Sequence, residues 1–285
     1  FPHYEYLIMY YKNQTVLLAS KHEKEHAIAQ PFINRLSCTL RVHDFDTDQF
    51  GTFTGEIERT LSPYETCLLK AQKAAERYDY ALALASEGSF GPHPDFPFVP
   101  SAHELMVFID REHNWVVAEQ LVSPKTNYAM ITINEHSEID SFLERVRFPS
   151  HALIVQSINR KRVFAKGIKE LESLIHYVSL GFKTEKELLL ATDMRAMMNP
   201  TRMEVIGELA DKLAQRIATL CVQCGCPGFG FKSTRGTLPC SFCGSSTSFY
   251  EEEVWGCIAC DHQQPKVRRD GLLEADPAYC DYCNP

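Results

Sequence analysis

The chain has 285 residues, of which 45% are hydrophobic and 23% are charged, and its formal net charge is −8 at pH 7. This composition is typical of a globular protein and excludes a disordered or fibrous chain, and the length accommodates one core of about 200 residues with a small appendage. The negative charge argues against non-specific nucleic-acid binding by the whole surface.

Signals for export and for membrane insertion are lacking in the sequence. We find no basic-then-apolar leader and no apolar run long enough to cross a bilayer. We therefore expect a cytoplasmic protein with no membrane partner, and the oligomeric state stays open.

The first third of the chain predicts two buried strands and a well-capped helix. Residues 15–20 and 38–42 are short apolar runs typical of strands, and residues 21–26 between them can open a helix. Ser62 and Glu65 have the spacing of a capping box, which predicts a helix over residues 62–78.

The following residues predict alternating strands and helices. We expect a strand over 81–85, a glycine-rich turn over 86–94, strands over 105–110, 115–120, 129–134 and 151–156, and helices over 137–145, over 168–181 and from Asn199 onward. This alternation predicts an α/β or α+β domain with a mixed sheet over residues 9–218, followed by a zinc-binding module over 219–285.

Eight of the eleven cysteines form four Cys-x-x-Cys pairs near the end of the sequence. The pairs are Cys221/Cys224, Cys240/Cys243, Cys257/Cys260 and Cys280/Cys283. Two such pairs supply the four thiolates that hold one Zn²⁺ tetrahedrally, so the sequence predicts two structural zinc ions in a double zinc-ribbon module. Disulfides are the alternative, but they belong to oxidising compartments.

Spacing leaves open which pairs share a metal. Fifteen residues separate Cys224 from Cys240 and nineteen separate Cys260 from Cys280, and both gaps suit zinc ribbons. We therefore prefer sequential pairing. An interleaved arrangement, first pair with third and second with fourth, also satisfies four-coordination, and Cys226 is left as a spare thiol.

Two polar groups in the large domain could support chemistry. The first group consists of Lys70 and Glu65 on the capped helix and Glu87 after the next strand. A lysine beside carboxylates is suited to Mg²⁺-assisted phosphate chemistry, with Lys70 on phosphate oxygens and Glu87 on the metal or an attacking water. Asp193, Arg195 and Arg202 suit an anion, but we prefer the alternative of an ion pair with a helix cap that holds the loop in place. Further Mg²⁺ ligands could come from Asp44, Asp46, Asp48, Glu56 and Glu58.

The sequence resembles the inosine triphosphate pyrophosphatase family in four short motifs. Glu65-Thr66-Cys67-Leu68-Leu69-Lys70-Ala71 is similar to its Glu-Asn-Ala-x-x-Lys-Ala helix, and Ala85-Ser86-Glu87-Gly88-Ser89-Phe90 lies where it carries Ala-Asp-Asp-Ser-Gly-Leu. Leu18-Ala19-Ser20-Lys21-His22-Glu23-Lys24 resembles its nucleotide loop, and Asn199-Pro200-Thr201-Arg202 lies near the position of its late Ser-His-Arg.

This resemblance implies a two-lobed fold whose cleft hydrolyses a nucleoside triphosphate to monophosphate and pyrophosphate with Mg²⁺. It implies that Lys70 contacts phosphates, that Glu65 and Glu87 hold Mg²⁺ or activate water, and that Arg202 contacts the base or the phosphates. The candidate catalytic residues are Glu65, Lys70 and Glu87, and the candidate substrate-binding residues are Ser20, Lys24, Ser89, His93, Asp193, Arg195 and Arg202.

A second hypothesis is a non-catalytic protein that senses a nucleotide. His22 and Ser86 replace an asparagine and an aspartate of the family pattern, and that family has no zinc module. The zinc ribbons would then contact RNA or protein. A local basic patch is available for this role, although we prefer to interpret it as a solvated rim; it consists of Lys232, Arg235, Lys266, Arg268 and Arg269.

Nearly the whole chain resembles an uncharacterised bacterial protein family. Its marks are the motif from Gly51 to Arg59, Ala-Ser-Glu-Gly-Ser-Phe-Gly-Pro-His-Pro from Ala85, Thr-Asp-Met-Arg-Ala from Thr192 and the terminal cysteine pairs. This resemblance implies no activity.

Overall fold

A computed structural model of the protein describes residues 10–47 and 61–285. The chain divides into two compact units, one spanning Tyr11–Ala214 and the other built around Gln215–Pro285. The motif from Gly51 and the candidate ligands Asp48, Glu56 and Glu58 lie outside the described residues.

The first unit contains a five-stranded mixed sheet. Its strands are β1 (Thr15–Ala19), β2 (Thr39–Val42), β3 (Leu82–Pro92), β4 (Pro100–Asp110) and β5 (Trp115–Ser123). They lie in the order β2-β1-β3-β4-β5, where β1 is parallel to β2 and β3 and the other neighbours are antiparallel. The predicted mixed α/β architecture is confirmed.

Two helices lie between the first three strands of this sheet in the sequence. Helix α1 (Glu25–Leu36) lies between β1 and β2, and α2 (Pro63–Tyr78) lies between β2 and β3. The predicted capping box of α2 is present: Ser62 Oγ accepts from the Glu65 N–H, and the Glu65 carboxylate accepts from the Ser62 N–H. The apolar face of α2 packs against one face of the sheet. That core includes Cys67, Ala71, Ala74 and Ala75 of α2 with Ala83, Ala85 and Val107 of the sheet.

The glycine-rich turn predicted over residues 86–94 is wrong, because β3 continues through Pro92. Its pairing with β4 runs without interruption from Leu82↔Asp110 to Pro92↔Pro100. Gly88 and Gly91 are strand residues with ordinary φ angles, which the sequence pattern did not distinguish from turn residues. Consequently Ser86 and Glu87 point to opposite faces of one strand.

A second, four-stranded antiparallel sheet completes the first unit. Its strands are β6 (Met130–Ile133), β7 (Leu153–Ser157), β8 (Val163–Ile168) and β9 (Leu188–Thr192), in the order β6-β9-β7-β8. The helices α3 (Asp140–Arg145) and α4 (Leu171–Phe182) contribute Phe142 and Leu174 to its core. Strands β8 and β9 were not predicted, because β8 contains Lys166 and Gly167 and β9 has no β-branched residue before Thr192, so both carry a weak strand signal.

The last helix, α5 (Pro200–Ala218), has the predicted start and apolar stripe. Asn199 Oδ1 accepts from the Arg202 N–H at 3.0 Å and so satisfies a free donor of the first turn. Val205, Leu209, Leu213 and Ile217 are fully buried along one face.

The second unit contains a three-stranded antiparallel sheet in the order β10-β11-β12. Its strands are β10 (Gly230–Arg235), β11 (Glu252–Gly256) and β12 (Gln263–Val267). Over the described residues, no helix is both long enough and apolar enough to span a bilayer.

Candidate metal centres and a buried charged crevice

All eleven cysteines are free thiols, and eight of them form two compact groups in the second unit. The first cluster is Cys221, Cys224, Cys257 and Cys260, and the second cluster is Cys240, Cys243, Cys280 and Cys283. The four sulfurs of each cluster lie within 4.8 Å of one another. The two four-cysteine clusters are consistent with two structural zinc sites.

The sulfur separations fit a tetrahedral zinc ion. A Zn–S bond of about 2.3 Å gives a tetrahedron with edges of about 3.8 Å. The Sγ atoms of Cys221 and Cys260 are 3.8 Å apart, and those of Cys240 and Cys283 are 3.9 Å apart. Four thiolates fill the coordination sphere of Zn²⁺, so these sites are closed to substrate.

The preferred sequential pairing of the cysteine pairs is wrong, and the interleaved alternative is present. Strand pairing decides it, because Gly230 at the start of β10 lies opposite Gly256 at the end of β11. This register brings the first cysteine pair, just before β10, beside the third pair, just after β11. A bridge between Cys240 and Ala275 likewise brings the second pair beside the segment that leads to the fourth.

Tight backbone turns hold each pair of cysteines. Gly225 and Gly244 adopt the left-handed φ angles of 72° and 74°. Their N–H groups donate to the carbonyls of Cys221 and Cys240 at 2.8 and 2.9 Å. Cys226 belongs to neither cluster; its thiol donates to the Pro227 carbonyl, and burial raises its pKa to about 12.

The arginines of the proposed basic patch are paired with acids. Arg268 is buried, where its guanidinium bonds the Asp270 carboxylate and the Tyr250 carbonyl. Arg235 pairs with Glu252, and Arg269 pairs with Glu253. Lys266 Nζ lies 3.6 Å from the centre of the Trp255 ring. The expected alternative of a solvated rim does not describe Arg268, which is buried, and the contacts of the arginines are with groups of the module itself.

In the first unit, the structure brings Lys70 and Glu87 into a buried ion pair. Lys70 lies on the face of α2 that packs on the sheet, and Glu87 follows Ala83 and Ala85 on the same face of β3. Both side chains are less than a tenth exposed. The direct contact meets the geometric requirement for a joint chemical role of the two residues.

Lys24 is buried on the opposite face of β3 with uncharged partners. It is the N-cap residue of α1, and its ammonium donates to Ser86 Oγ at 2.9 Å and to the Ser86 carbonyl at 3.3 Å. Among the described residues it forms no ion pair. Burial, with Arg202 as the next contribution, lowers the pKa of Lys24 to about 8.

Arg202 and Glu104 form a second buried ion pair on this face. Arg202 Nε donates to Glu104 Oε1 at 2.7 Å, and the guanidinium also donates to the Met194 carbonyl. The guanidinium carbon lies 5.1 Å from the centre of the Phe90 ring, which in turn stacks on Tyr128 at 5.8 Å. The sequence analysis identified Arg202 but missed Glu104. The only sign of Glu104 in the sequence is that it lies two residues before Met106 and four before Phe108, so in a strand its side chain points to the same buried face as theirs.

The two sets of charges meet where β1 ends. Pairing of β1 with β3 stops at Ala19 and Ala85, whereas β3 continues beyond it against β4. Lys24 is electrostatically coupled to Arg202 and Glu104 on its own face and to Glu87 and Lys70 on the other. We call these five residues the charged crevice; its three cations and two carboxylates leave one positive charge in excess, which suits an anion.

Among the described residues, the remaining candidates form no hydrogen bond or ion pair with the charged crevice. Glu65 is exposed and serves the helix cap, Ser89 is exposed, and His93 Nδ1 accepts from the Asp95 N–H in the turn after β3. Ser20 is buried and accepts from the His22 N–H at 3.4 Å.

Asp193 and Arg195 form an ion pair directly after β9 of the second sheet. Asp193 is fully buried and accepts from the Gly167 N–H at 3.0 Å and from the Arg195 guanidinium at 2.6 Å. The sequence left open an anion site or an ion pair that holds the loop; the contacts are those of the ion pair.

The crevice does not fit a protein-held Mg²⁺. Mg²⁺ prefers free carboxylate oxygens in octahedral geometry. Glu87 and Glu104 are each paired with a cation, and Asp46 pairs with Lys21. In the part of the chain that the structure describes, the two cysteine clusters are the only groups of three or more candidate ligands.

A family model described as a domain of unknown function (DUF6671) matches residues 70–285, which agrees with the expected uncharacterised family. No curated protein matches the chain. The likeness to pyrophosphatases and the bacterial origin stay predictions.

Proposed function

The chain belongs to the DUF6671 family, a domain of unknown function, and we propose from its own residues that the charged crevice binds the phosphates of a nucleoside triphosphate. Lys24 carries the proposal. A buried ammonium is costly unless it has a counter-charge. Among the described residues, the only groups that bond the Lys24 ammonium directly are the neutral oxygens of Ser86. The carboxylates of Glu87 and Glu104 act on it from further away, and each is already paired with another cation, so a phosphate would supply a direct counter-charge.

The position of the crevice supports a phosphate ligand. It lies beyond the carboxyl end of β1, where the chain turns into α1, and parallel strands bind ligands at this edge. Lys70 and Arg202 add cations on the two sides of β3. The stacked rings of Phe90 and Tyr128 lie next to Arg202 and offer an aromatic surface on which a base could stack.

Binding is tested by titrating standard and deaminated nucleoside triphosphates into the full chain in a calorimeter. We expect Lys24→Met to weaken binding at least about tenfold, since a charge-assisted phosphate contact is lost. Lys73→Met is the matched control, because Lys73 lies on α2 near Lys70 but is exposed and pairs with the exposed Glu76. Equal affinity of the Lys24→Met variant and the wild type would overturn the proposal.

Hydrolysis is a second candidate function, favoured by the Lys70–Glu87 contact. If a phosphate oxygen replaces Glu87 as the partner of Lys70, the released carboxylate can accept a proton from an attacking water. The products would be those implied by the pyrophosphatase resemblance. Any Mg²⁺ would then arrive with the nucleotide, because the crevice itself does not fit that ion.

Turnover is measured as pyrophosphate release from the same nucleotides with Mg²⁺ or Mn²⁺. A hydrolase predicts release that Glu87→Gln abolishes while nucleotide binding persists. Binding without release from any nucleotide would favour a sensing protein and would reject the hydrolytic role of Glu87.

A further inference from the structure

Three exposed aromatic side chains surround the second cysteine cluster. Phe242 lies between Cys240 and Cys243, and Tyr282 lies between Cys280 and Cys283; they are 82% and 79% exposed. Tyr279 precedes Cys280, is 60% exposed and is held edge-on against Phe249 at 5.2 Å. We call these three residues the aromatic tip.

Two exposed acids lie next to the turns that carry the aromatic tip. Asp281 is the neighbour of Tyr282, and Glu274 precedes Ala275, whose carbonyl accepts from the Ser241 N–H at 2.9 Å. Both carboxylates are exposed, and within the described residues neither forms an ion pair. Acidic groups therefore border the two turns that carry Phe242 and Tyr282.

The zinc-binding module as a whole is also negatively charged. Residues 219–285 contain eight acidic and five basic residues, and all three arginines are already paired with carboxylates. Four thiolates around one Zn²⁺ add roughly two further negative charges at each cluster. A negative field with exposed aromatic faces attracts cations and repels phosphates.

We propose that the aromatic tip, with Glu274 and Asp281, docks a lysine- and arginine-rich segment of a partner protein. Aromatic faces bind ammonium and guanidinium groups through cation–π contacts, and the two carboxylates supply ion pairs. Rigid aromatic residues lose little conformational entropy on binding, which suits them to anchor a flexible segment. RNA, the other partner expected of a zinc module, is disfavoured by the same charges.

The test uses the full zinc-loaded chain and a fluorescein-labelled peptide of alternating arginine and glycine. Fluorescence anisotropy should show binding that weakens as salt is raised. The double variant Phe242→Ala/Tyr282→Ala should bind at least about tenfold more weakly, because two cation–π contacts are lost. Val222→Ala is the matched control, since Val222 is 87% exposed in a turn of the first cluster.

Zinc content verifies that each variant is folded. If the aromatic double variant loses zinc, Glu274→Gln/Asp281→Asn provides the same test through the charges, with an expected weakening of severalfold. Wild-type affinity in a folded variant would overturn the proposal. So would equally tight binding of a glutamate-rich peptide or of single-stranded RNA, or self-association of the chain through the tip.

Discussion

Gly88 is the position where the charged crevice tolerates no added side chain. A Cβ atom there would overlap Arg202 Nη2 and would lie 2.7 Å from Glu104 Oε2. Gly88→Ala must therefore displace a buried ion pair, and we expect it to lower the free energy of unfolding by about 1–3 kcal/mol.

Chemical denaturation followed by circular dichroism measures this change. Gly91→Ala is the control on the same strand, because no atom lies within 4 Å of the added Cβ, and its effect should stay within about 0.5 kcal/mol. Equal destabilisation by the two variants would contradict the close packing at Gly88.

Lys24 should make anion binding depend on pH. Its pKa in the folded protein is lowered to about 8, and a bound anion favours the protonated form. Affinity is therefore present below about pH 8 and is lost as the pH rises through that value. Between about pH 7 and about pH 9 we expect triphosphate affinity to fall about tenfold.

Lys24→Arg separates this effect from other titrations, since a guanidinium stays protonated over the whole range. The variant should bind with a flatter pH profile in a calorimetric series. A steep profile that persists in Lys24→Arg would assign the titration to another group.

At the scale of the element, the capping box of α2 accounts for Glu65 without any catalytic role. Ser62→Ala removes the oxygen that accepts from the Glu65 N–H and should lower the free energy of unfolding by about 1 kcal/mol. Glu65→Gln keeps a side chain that can serve the same cap, so its stability should change little.

Nucleotide affinity measured in the presence of Mg²⁺ then decides whether Glu65 only caps the helix or also acts as an Mg²⁺ ligand. We expect Glu65→Gln to bind like the wild type, because its carboxylate lies at the exposed helix terminus. A loss of affinity without a loss of stability would restore the ligand role implied by the pyrophosphatase resemblance.

The same helix shows how far local signals reach. Ser62, Pro63 and Glu65 predict where α2 begins because capping is settled by neighbouring residues. The end of β3 was mispredicted because Gly88 and Gly91 are held in the strand by pairing with β4. That strand follows later in the sequence, so the local pattern around the glycines does not show it. Lys70 and Glu87 were predicted to share one site, and they are in contact because α2 and β3, which are consecutive in the sequence, pack on each other.

Zinc stoichiometry tests the interleaved clusters at the scale of the whole molecule. Two zinc ions per chain are expected for the wild type. Cys221→Ser/Cys257→Ser removes two ligands of one cluster and should leave one zinc, whereas Cys221→Ser/Cys240→Ser damages both clusters and should leave none. Mass spectrometry of metal content checks this, and sequential pairing would give the reverse result.

The cysteine ligands were fully predicted, yet their pairing was not. Four Cys-x-x-Cys pairs identify eight thiolates from spacing alone, because each turn is local. Which turns share a metal follows from the register of β10 with β11, and sequence separation carries no information about that register. Glu104 was missed for the same reason, since its partner Arg202 lies on a distant helix.

The most direct test of the charged crevice is calorimetric titration of inorganic tripolyphosphate into the full chain. This probe isolates the phosphate contacts from any contribution of a base. The account predicts saturable binding that Lys24→Met weakens at least about tenfold and that Lys73→Met leaves unchanged. No binding to the wild type, or equal binding to the wild type and the Lys24→Met variant, would contradict it.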